Sequence, residues 1–330
     1  MKIFGLEATR GLGERIAAQL GTVLAPYEER QFEDSEFKIR PLESVRGERV
    51  LVCQSLSGDA QLSAADKLMR LLVFTGALKD AGAAEVIALA PYLAFSRKDR
   101  RTKPYDPVAT RYIAAFLEAA GVDALVTVDV HNPAAFDNAF RRFKLDVEAW
   151  PLFVEHFAVR IPAGRRVAVL SPDAGGMKRA IRFAEAFAER IGAPVELALM
   201  EKRRSEGLVR GQAFGGDVAD ATVIVVDDLV STGTTMQRAA KAAVARGAAS
   251  VHVAATHGLF SPAAAEALMI DEIETIVVTD TVPDVEARCP ALLSKLAVLE
   301  TAPLLAAAVL WWLKLEPERP AARGGSAAAG

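Results

Sequence analysis

Residues 223–236, VIVVDDLVSTGTTM, place two adjacent aspartates between an apolar run and a hydroxyl-rich segment with one glycine. The uninterrupted apolar run predicts a strand over residues 223–226 that is buried on both faces, as in a parallel α/β sheet. Asp227 and Asp228 would then lie at the carboxyl end of that strand, the edge where open α/β sheets bind ligands. Residues 231–235 predict a tight loop that leads into a helix beginning near Met236.

The predicted loop has the chemistry of a phosphate site. It offers hydroxyl donors, unpaired backbone N–H groups and the positive end of a helix. Gly233 has no Cβ, so the backbone there could approach a ligand closely. The two carboxylates would repel a phosphate and instead suit hydroxyl groups such as the vicinal diol of a ribose, so a sugar phosphate is the simplest guest. The alternative is that the hydroxyls only cap a helix, because Ser and Thr are ordinary N-caps.

Similar apolar runs recur along the chain and alternate with helical patterns that end in glycine. They predict an α/β fold built from parallel sheets. The runs are EVIALAPYL (85–93), ALVTVDV (124–130), RRVAVLSP (165–172) and SVHVAATH (250–257).

An internal repeat predicts two related halves that divide near Arg160. GERVLVCQSLSGD (47–59) resembles DATVIVVDDLVSTG (220–233), and LKDAGAAEVIALAPYL from Leu78 resembles AVARGAASVHVAATHGL from Ala243. The alternative is that helix–glycine–strand junctions resemble one another in any α/β protein. If the halves are related, only the second has kept an acidic loop, because Gln54 and Ser55 stand where the second has aspartates.

Composition limits the class of protein. The chain has 330 residues, 52% of them hydrophobic and 25% charged, with a formal net charge of −3. This balance argues against a general nucleic-acid binder. Cys53 and Cys289 are too few for a disulfide framework and fit a cytoplasmic location. The apolar segment PLLAAAVLWWLKL (303–315) is too short to span a bilayer, so we expect no membrane partner.

The stretch DDLVSTGTT (227–235) resembles the ribose 5-phosphate-binding loop of type I phosphoribosyltransferases, and other segments favour one family within them, the ribose-phosphate pyrophosphokinases. FEDSEFKIR (32–40) is similar to the acidic turn that receives the adenine of a neighbouring subunit's ATP, although the family usually has glycine in place of Ser35. PYLAFSRKDRR (91–101) resembles the family's P-Y-x-x-Y-x-R-Q-D-R, with Lys98 in place of glutamine. The resemblance implies these ATP-binding residues: Phe32, Asp34, Ser35, Glu36, Arg97, Lys98, Asp99 and Arg100.

Three further segments carry the implied metal and catalytic residues. VTVDVHNP (126–133) resembles the family's D-L-H segment, which implies that His131 binds Mg²⁺, although the following NPAAFDNAF matches poorly. LSPDAGGMKRA (170–180) resembles S-P-D-x-G-G, which implies that Asp173 binds Mg²⁺ and that two glycines follow where the backbone approaches a ligand. In MEKRRSEG (200–207), Lys202 and Arg204 match the catalytic lysine and arginine, and we expect them to begin a long loop that reaches Asp220.

The resemblance implies a Mg²⁺-dependent ribose-phosphate diphosphokinase. Such an enzyme transfers the β,γ-diphosphoryl group of ATP to the C1 hydroxyl of ribose 5-phosphate, giving phosphoribosyl diphosphate and AMP. Asp227 and Asp228 would hold the ribose hydroxyls, directly or through a metal. The sugar phosphate would be bound by Ser231, Thr232, Gly233, Thr234 and Thr235.

The resemblance also implies a homo-oligomer, a dimer or larger, whose ATP site is shared between subunits. Residues 1–155 would form the ATP-side domain, joined by a closing helix at about 300–315. Residues 156–299 would form the ribose 5-phosphate side, and residues 316–330 a disordered tail. Two alternatives remain open: a phosphoribosyltransferase that consumes phosphoribosyl diphosphate, and a non-catalytic regulatory paralogue.

Overall fold

The computed structural model describes residues 1–205 and 208–313, with only the backbone described between residues 201 and 212. The chain forms two compact units. The first comprises residues 1–148, 281–283 and the chain from Thr301 onward, and the second comprises residues 149–280 and 284–300. The expected tail, residues 316–330, lies outside the described residues.

The first unit is a parallel five-stranded sheet in the order β1-β4-β5-β6-β7, with a separate antiparallel hairpin of β2 and β3. Helices α1 to α4 belong to the same unit. The strands are β1 (Lys2–Gly5), β2 (Tyr27–Gln31), β3 (Phe37–Pro41), β4 (Arg49–Cys53), β5 (Glu85–Ala90), β6 (Ala124–Val128) and β7 (Phe143–Val147). The helices are α1 (Arg10–Gln19), α2 (Ala64–Asp80), α3 (Ala109–Ala119) and α4 (Pro133–Ala139).

The second unit holds a seven-stranded sheet in the order β10-β9-β8-β11-β12-β13-β14. All neighbouring strands are parallel except β9 and β10, which form an antiparallel edge pair. The strands are β8 (Val167–Ser171), β9 (Val195–Ser205), β10 (Leu208–Gly215), β11 (Thr222–Val230), β12 (Ser250–Gly258), β13 (Thr275–Thr279) and β14 (Leu296–Leu299). The helices are α5 (Trp150–Ala158), α6 (Met177–Ile191), α7 (Thr234–Val244), α8 (Ala264–Leu268) and α9 (Val285–Arg288).

The last described helix, α10 (Ala302–Trp312), belongs to the first unit. It packs against α1 and β7. The ring of Trp312 stacks on Phe143 of β7 with the centroids 3.8 Å apart. Helix α10 is therefore held to the first sheet by aromatic and apolar contacts. Within the described ranges, no helix combines the length and apolar character needed to cross a membrane.

The two sheets repeat one topology. Strands β1-β4-β5-β6-β7 and strands β8-β11-β12-β13-β14 follow the same spatial order. Along the chain, the antiparallel pair β2–β3 lies between β1 and β4, and the antiparallel pair β9–β10 lies between β8 and β11. The fold class expected from the apolar runs, two related α/β halves with mainly parallel sheets, is confirmed. The reason lies in burial: Val223, Ile224 and Val225 of β11 are fully buried, as sheets covered on both faces require.

The expectation of a loop beginning at Lys202 is wrong. Strand β9 continues to Ser205 and pairs with β10, so that Lys202 lies opposite Gln212 and Arg204 opposite Val209. The sequence is polar and rich in glycine, which favours a loop locally. Pairing of the two strands in the folded sheet overrides that local preference.

Candidate active site

The paired aspartates lie inside a strand, although the sequence placed them just after one. Strand β11 runs on to Val230 because β12 pairs with it as far as Gly258. On its other side, β11 pairs with β8 only from Thr222 to Val225. Asp227 and Asp228 therefore lie beyond the end of the β8 ladder, where one edge of β11 is free of strand partners among the described residues.

A single arginine faces both aspartates. The Nη1 atom of Arg179, on the first turn of α6, lies 3.6 Å from Oδ1 of Asp227 and 3.6 Å from Oδ1 of Asp228. The side chain of Arg179 is 11% exposed, that of Asp227 18% and that of Asp228 6%. The backbone N–H of Asp228 also donates to Asp227 Oδ1 at 2.9 Å. The result is a nearly buried triad of two carboxylates and one guanidinium.

The charges of this triad do not balance. Burial raises the pKa of Asp227 well above its ordinary value, and the neighbouring charge of Asp228 raises it further. The guanidinium of Arg179 opposes this rise in pKa without cancelling it. The site is therefore short of positive charge or hydrogen-bond donors, which is what a polyhydroxylated ligand supplies.

The loop after β11 leads directly into α7, which begins at Thr234. Thr232 and Thr234 are exposed, and their hydroxyls lie 3.2 Å apart. Gly233 has a left-handed φ of 76°, and a Cβ there would meet Leu268 Cγ of α8 at 2.6 Å. The positive φ and the packing against α8 therefore require glycine here, and close approach of its backbone to a ligand stays a prediction.

A second segment lies along the same loop. Residues 259–261 follow β12, and the Ser261 N–H donates to the Ser231 carbonyl at 2.9 Å. Leu259 N–H likewise donates to the Val230 carbonyl at 2.9 Å. The Ser261 hydroxyl is buried and has no hydrogen-bond partner among the described residues. Sequence reasoning gave Ser261 no role, although it lies beside the hydroxyl-rich loop.

Asp173 lies between β8 and α6, at the start of a short 3-10 helix (Ala174–Gly176). Its Oδ1 accepts the N–H of Gly176 at 3.1 Å, and the Ser171 hydroxyl donates to the Asp173 carbonyl at 2.7 Å. A Cβ on Gly176 would lie 3.0 Å from the Ser171 hydroxyl, so this glycine makes room for the turn itself. The turn leads into α6 and sets the position of Arg179.

Sequence reasoning missed Arg179. The residue lies in the quoted segment LSPDAGGMKRA, three positions after Gly176. Its distance from the aspartates along the sequence does not predict the contact, because the contact joins helix α6 to strand β11. A basic residue on the first turn after S-P-D-x-G-G was the one available hint.

In the first unit, the acidic turn forms the tip of the β2–β3 hairpin. Phe32 N–H donates to the Glu36 carbonyl at 2.7 Å, and Glu36 N–H donates to Asp34 Oδ1 at 3.1 Å. Ser35 has a left-handed φ of 72°, which explains why glycine suits this position. Residues 32–36 are exposed, so the turn is available to a ligand or partner.

A buried arginine attaches the hairpin to the rest of the first unit. Arg70 of α2 is 4% exposed and pairs with the carboxylate of Glu29 on β2. Its guanidinium carbon lies 4.6 Å from the centre of the Phe37 ring on β3. The charge pair and the cation–π contact together define the position of the turn at the tip.

The basic segment after β5 contains two exposed arginines and one lysine that is bound to its own loop. Arg97 and Arg100 are exposed. The Lys98 ammonium lies 2.6 Å from Asp106 Oδ2 and 3.1 Å from the Thr102 hydroxyl. Hydrogen bonds from Lys98 and then Thr102 lower the pKa of Asp106. Lys98 therefore braces its own loop, a contact that the sequence did not predict.

His131 and Asp99 occupy two neighbouring loops of the first unit. His131 is exposed and follows β6 by way of Asp129, whose φ is 41°. The next residue, Asn132, donates a side-chain hydrogen bond to the carboxylate of Asp99. The same side chain accepts the Ala135 N–H at 3.2 Å and so caps α4. Asn132 therefore joins the loop that carries the basic segment to the loop that carries His131.

No group of three or more His, Cys, Asp or Glu side chains suited to a metal ion occurs within the part of the chain that the structure describes. A protein-only metal cage is therefore absent from those residues. The donors that remain are single groups. The Asp173 carboxylate fits Mg²⁺, which takes one or two protein oxygens together with water and substrate phosphates, whereas the imidazole of His131 is an atypical ligand.

A parallel sheet whose central strand carries paired aspartates before a hydroxyl-rich loop and helix defines the type I phosphoribosyltransferase class. Residues 1–121 match the N-terminal domain of ribose phosphate pyrophosphokinase, and residues 210–313 match the phosphoribosyl synthetase-associated domain. The chain belongs to the ribose-phosphate pyrophosphokinase family.

Individual relatives agree over nearly the whole length. The chain is 36% identical to a ribose-phosphate pyrophosphokinase of Caldanaerobacter subterraneus, over 94% of both chains. It is 33% identical to ribose-phosphate pyrophosphokinase 1 of Streptococcus pneumoniae, over 97% of this chain and 95% of the relative. The crystal structure of phosphoribosylpyrophosphate synthetase from Mycobacterium smegmatis superposes with a TM-score of 0.83 and 29% identity, covering 96% of this chain and 99% of that one.

Proposed function

We propose that the protein is a ribose-phosphate diphosphokinase. It transfers the β,γ-diphosphoryl group of ATP to the C1 hydroxyl of D-ribose 5-phosphate and releases 5-phosphoribosyl 1-diphosphate and AMP. The observation that carries this proposal is the nearly buried Asp227–Asp228 pair directly before a hydroxyl-rich loop at a helix start. A relative with this enzyme name matches the chain over 94% of both lengths.

The sugar phosphate site comprises the loop and the acidic pair. The backbone N–H groups and hydroxyls of residues 231–235 receive the 5-phosphate at the positive end of α7. Asp227 and Asp228 accept hydrogen bonds from the ribose hydroxyls. The acidic pair on β11 and the hydroxyl-rich loop before α7 suit a sugar that carries its phosphate at one end and its diol at the other.

ATP is bound by residues of the first unit. Arg97 and Arg100 are exposed cations that suit the triphosphate. Asp99 is held by Asn132, and Lys98 contributes by bracing the loop as well as through its charge. The exposed turn of Phe32, Asp34, Ser35 and Glu36 serves the adenine of a neighbouring subunit.

Mg²⁺ is the implied cofactor, with Asp173 and His131 as its proposed protein ligands. When bound, it neutralises phosphoryl oxygens of the transferring group. Asp173 supports this assignment because only Oδ1 makes a hydrogen bond among the described residues. The carboxylate therefore keeps an oxygen for a hydrated cation.

Lys202 and Arg204 are the proposed catalytic residues. Both lie on β9, whose antiparallel partner β10 gives them a defined backbone position. Transfer of a phosphoryl group spreads negative charge over oxygens, and fixed cations stabilise that charge more in the transition state than in the ground state. The C1 hydroxyl attacks the β-phosphorus, and AMP leaves with the electron pair of the cleaved bond.

The proposal extends to assembly and location. A homo-oligomer, at least a dimer, is supported by the exposure of the acidic turn at residues 32–36. Residues 1–155 would serve ATP and residues 156–299 ribose 5-phosphate. A cytoplasmic location is supported by two buried cysteines that form no disulfide.

One assay tests the activity. The protein is incubated with Mg²⁺, ATP and ribose 5-phosphate, and the nucleotide products are separated. AMP together with phosphoribosyl diphosphate is the expected result. ADP would make the protein an ordinary kinase, and no turnover with any nucleoside triphosphate would favour a regulatory paralogue. Consumption of phosphoribosyl diphosphate with a nucleobase would indicate a phosphoribosyltransferase.

A further inference from the structure

Arg179 lies beside the acidic pair, and the proposed reaction assigns it no role. It lies on the first turn of α6, and its Nη1 is equidistant, at 3.6 Å, from Oδ1 of Asp227 and Oδ1 of Asp228. These are consecutive residues of a strand, whose side chains ordinarily point to opposite faces. Here both carboxylates approach the same cation.

The backbone explains how the two carboxylates converge. In the ladder between β11 and β12, Asp227 pairs with Ala255 and Leu229 with His257, so the register is the same on both sides of Asp228. The Asp227 carboxylate bends along the chain to accept the N–H of Asp228 at 2.9 Å. This hydrogen bond turns the Asp227 carboxylate toward its neighbour, and the guanidinium of Arg179 lies close to both.

We propose that Arg179 is a positioning residue for ribose 5-phosphate, whose single guanidinium bridges Asp227 and Asp228 and holds both carboxylates in the geometry that receives the ribose hydroxyls. The inference rests on the proposed function. It assigns Arg179 no contact with the reacting atoms, and it assigns Asp227 and Asp228 the contact with substrate.

Burial makes this bridge strong enough to matter. The Arg179 side chain is 11% exposed and that of Asp228 is 6% exposed, so water screens the charges weakly. Burial raises the pKa of Asp227, and repulsion from the nearby carboxylate of Asp228 raises it further. Without the guanidinium, the two side chains would separate or take up a proton, and either change would remove acceptors from the ribose.

A planar guanidinium suits this task better than an ammonium ion. It spreads its charge over several N–H donors and can face two carboxylates at once, whereas a lysine ammonium is a compact point charge. Arg179→Lys therefore separates the presence of a positive charge from the bridging of two groups. Arg190, an exposed arginine on the same helix that pairs with Glu155, provides a matched control.

The experiment measures kcat and both KM values for wild type, Arg179→Met, Arg179→Lys and Arg190→Met. We expect Arg179→Met to raise the KM for ribose 5-phosphate on the order of 10- to 100-fold, as loss of one partner of a buried charge group typically does, with little change in the KM for ATP. Arg179→Lys should raise it severalfold, and Arg190→Met should match wild type. Circular dichroism and the melting temperature check that each variant is folded.

A double-mutant cycle shows whether Arg179 acts through the aspartates. In the Asp227→Asn/Asp228→Asn background, Arg179→Lys should have almost no further effect on ribose 5-phosphate affinity, measured by calorimetry without ATP. Three results would each overturn the inference. They are an unchanged KM for ribose 5-phosphate in Arg179→Lys, equal rises in the KM for both substrates, and full additivity of the substitutions in the cycle. AMP release by the wild type tests the proposed function, whereas the ratio of variant to wild-type KM tests the role of Arg179.

Discussion

The backbone N–H of Asp228 donates a hydrogen bond of 2.9 Å to the carboxylate of Asp227. This contact, together with the approach of Arg179, confines two carboxylates in a nearly buried site at some cost in stability. Groups that weaken the fold while serving a ligand are a common feature of binding sites. The arrangement leads to a prediction about pH.

Asp227→Asn should stabilise the ligand-free protein at neutral pH. The pKa of Asp227 is raised above its ordinary value of 3.8, first by burial and then by Asp228. Between pH 3.8 and the raised pKa, the folded state therefore binds more protons than the unfolded state. Stability is therefore lost as pH rises through that window. The gain in melting temperature of Asp227→Asn over wild type should grow from about pH 4 to pH 7.

The matched control for this prediction is Asp271→Asn, because Asp271 is exposed. It should change the melting temperature little at either pH. A stability gain in Asp227→Asn that shrinks toward neutral pH would contradict the assigned direction of the pKa shift. Turnover should fall in Asp227→Asn even where stability rises, since the carboxylate serves the ribose.

Ser35→Gly should stabilise the hairpin of β2 and β3. Ser35 has a φ of 72°, a left-handed conformation that costs a residue with a Cβ about 1–2 kcal/mol and glycine almost nothing. We expect a gain in unfolding free energy of roughly 1 kcal/mol by chemical denaturation. Glu33→Gly, in the same turn but without a positive φ, should be neutral or destabilising. If Ser35→Gly and Glu33→Gly changed the unfolding free energy equally, backbone strain at Ser35 would be refuted.

Lys98 and Asp106 should act as one unit on ATP. Because the Lys98 ammonium lies 2.6 Å from Asp106 Oδ2, removal of either partner should loosen the same loop. Lys98→Ala and Asp106→Ala should each raise the KM for ATP by up to about fivefold, as expected for a partly exposed pair, and the double variant should be no worse than Lys98→Ala alone. The effect of Arg97→Ala on the KM for ATP should be additive with that of Lys98→Ala or Asp106→Ala. A double variant with a clearly higher KM for ATP than Lys98→Ala would contradict the prediction, because the two residues would then act independently.

Lys202→Ala should lower kcat far more than it changes either KM. A fixed cation aimed at charge that develops in the transition state is typically worth on the order of 10²- to 10³-fold in turnover. Steady-state kinetics with each substrate varied in turn provide the measurement. Lys241→Ala, an exposed lysine on α7, is the control. A rise in KM with unchanged kcat would show that Lys202 binds substrate and transition state equally, which would remove it from catalysis.

Local pattern was sufficient for much of the fold. The uninterrupted apolar run at residues 223–226 predicted a buried strand, and its residues are 4% exposed or less. The repeat between residues 47–59 and 220–233 predicted related halves, and the two sheets share one strand order. The same local reasoning failed at β9, where polar, glycine-rich sequence suggested a loop and pairing with β10 produced a strand.

The sequence by itself determined the α/β class, the position of the acidic pair before a phosphate-type loop, and the turn at Ser35, because each depends on residues adjacent along the chain. Only the tertiary structure decided that Arg179 faces both aspartates, that Lys98 is held by Asp106, and that Gly233 packs against Leu268. These three contacts depend on distances between side chains on different elements or across a folded loop. Such distances follow from packing and burial, and the strength of each charge contact depends on how much water the surrounding fold excludes.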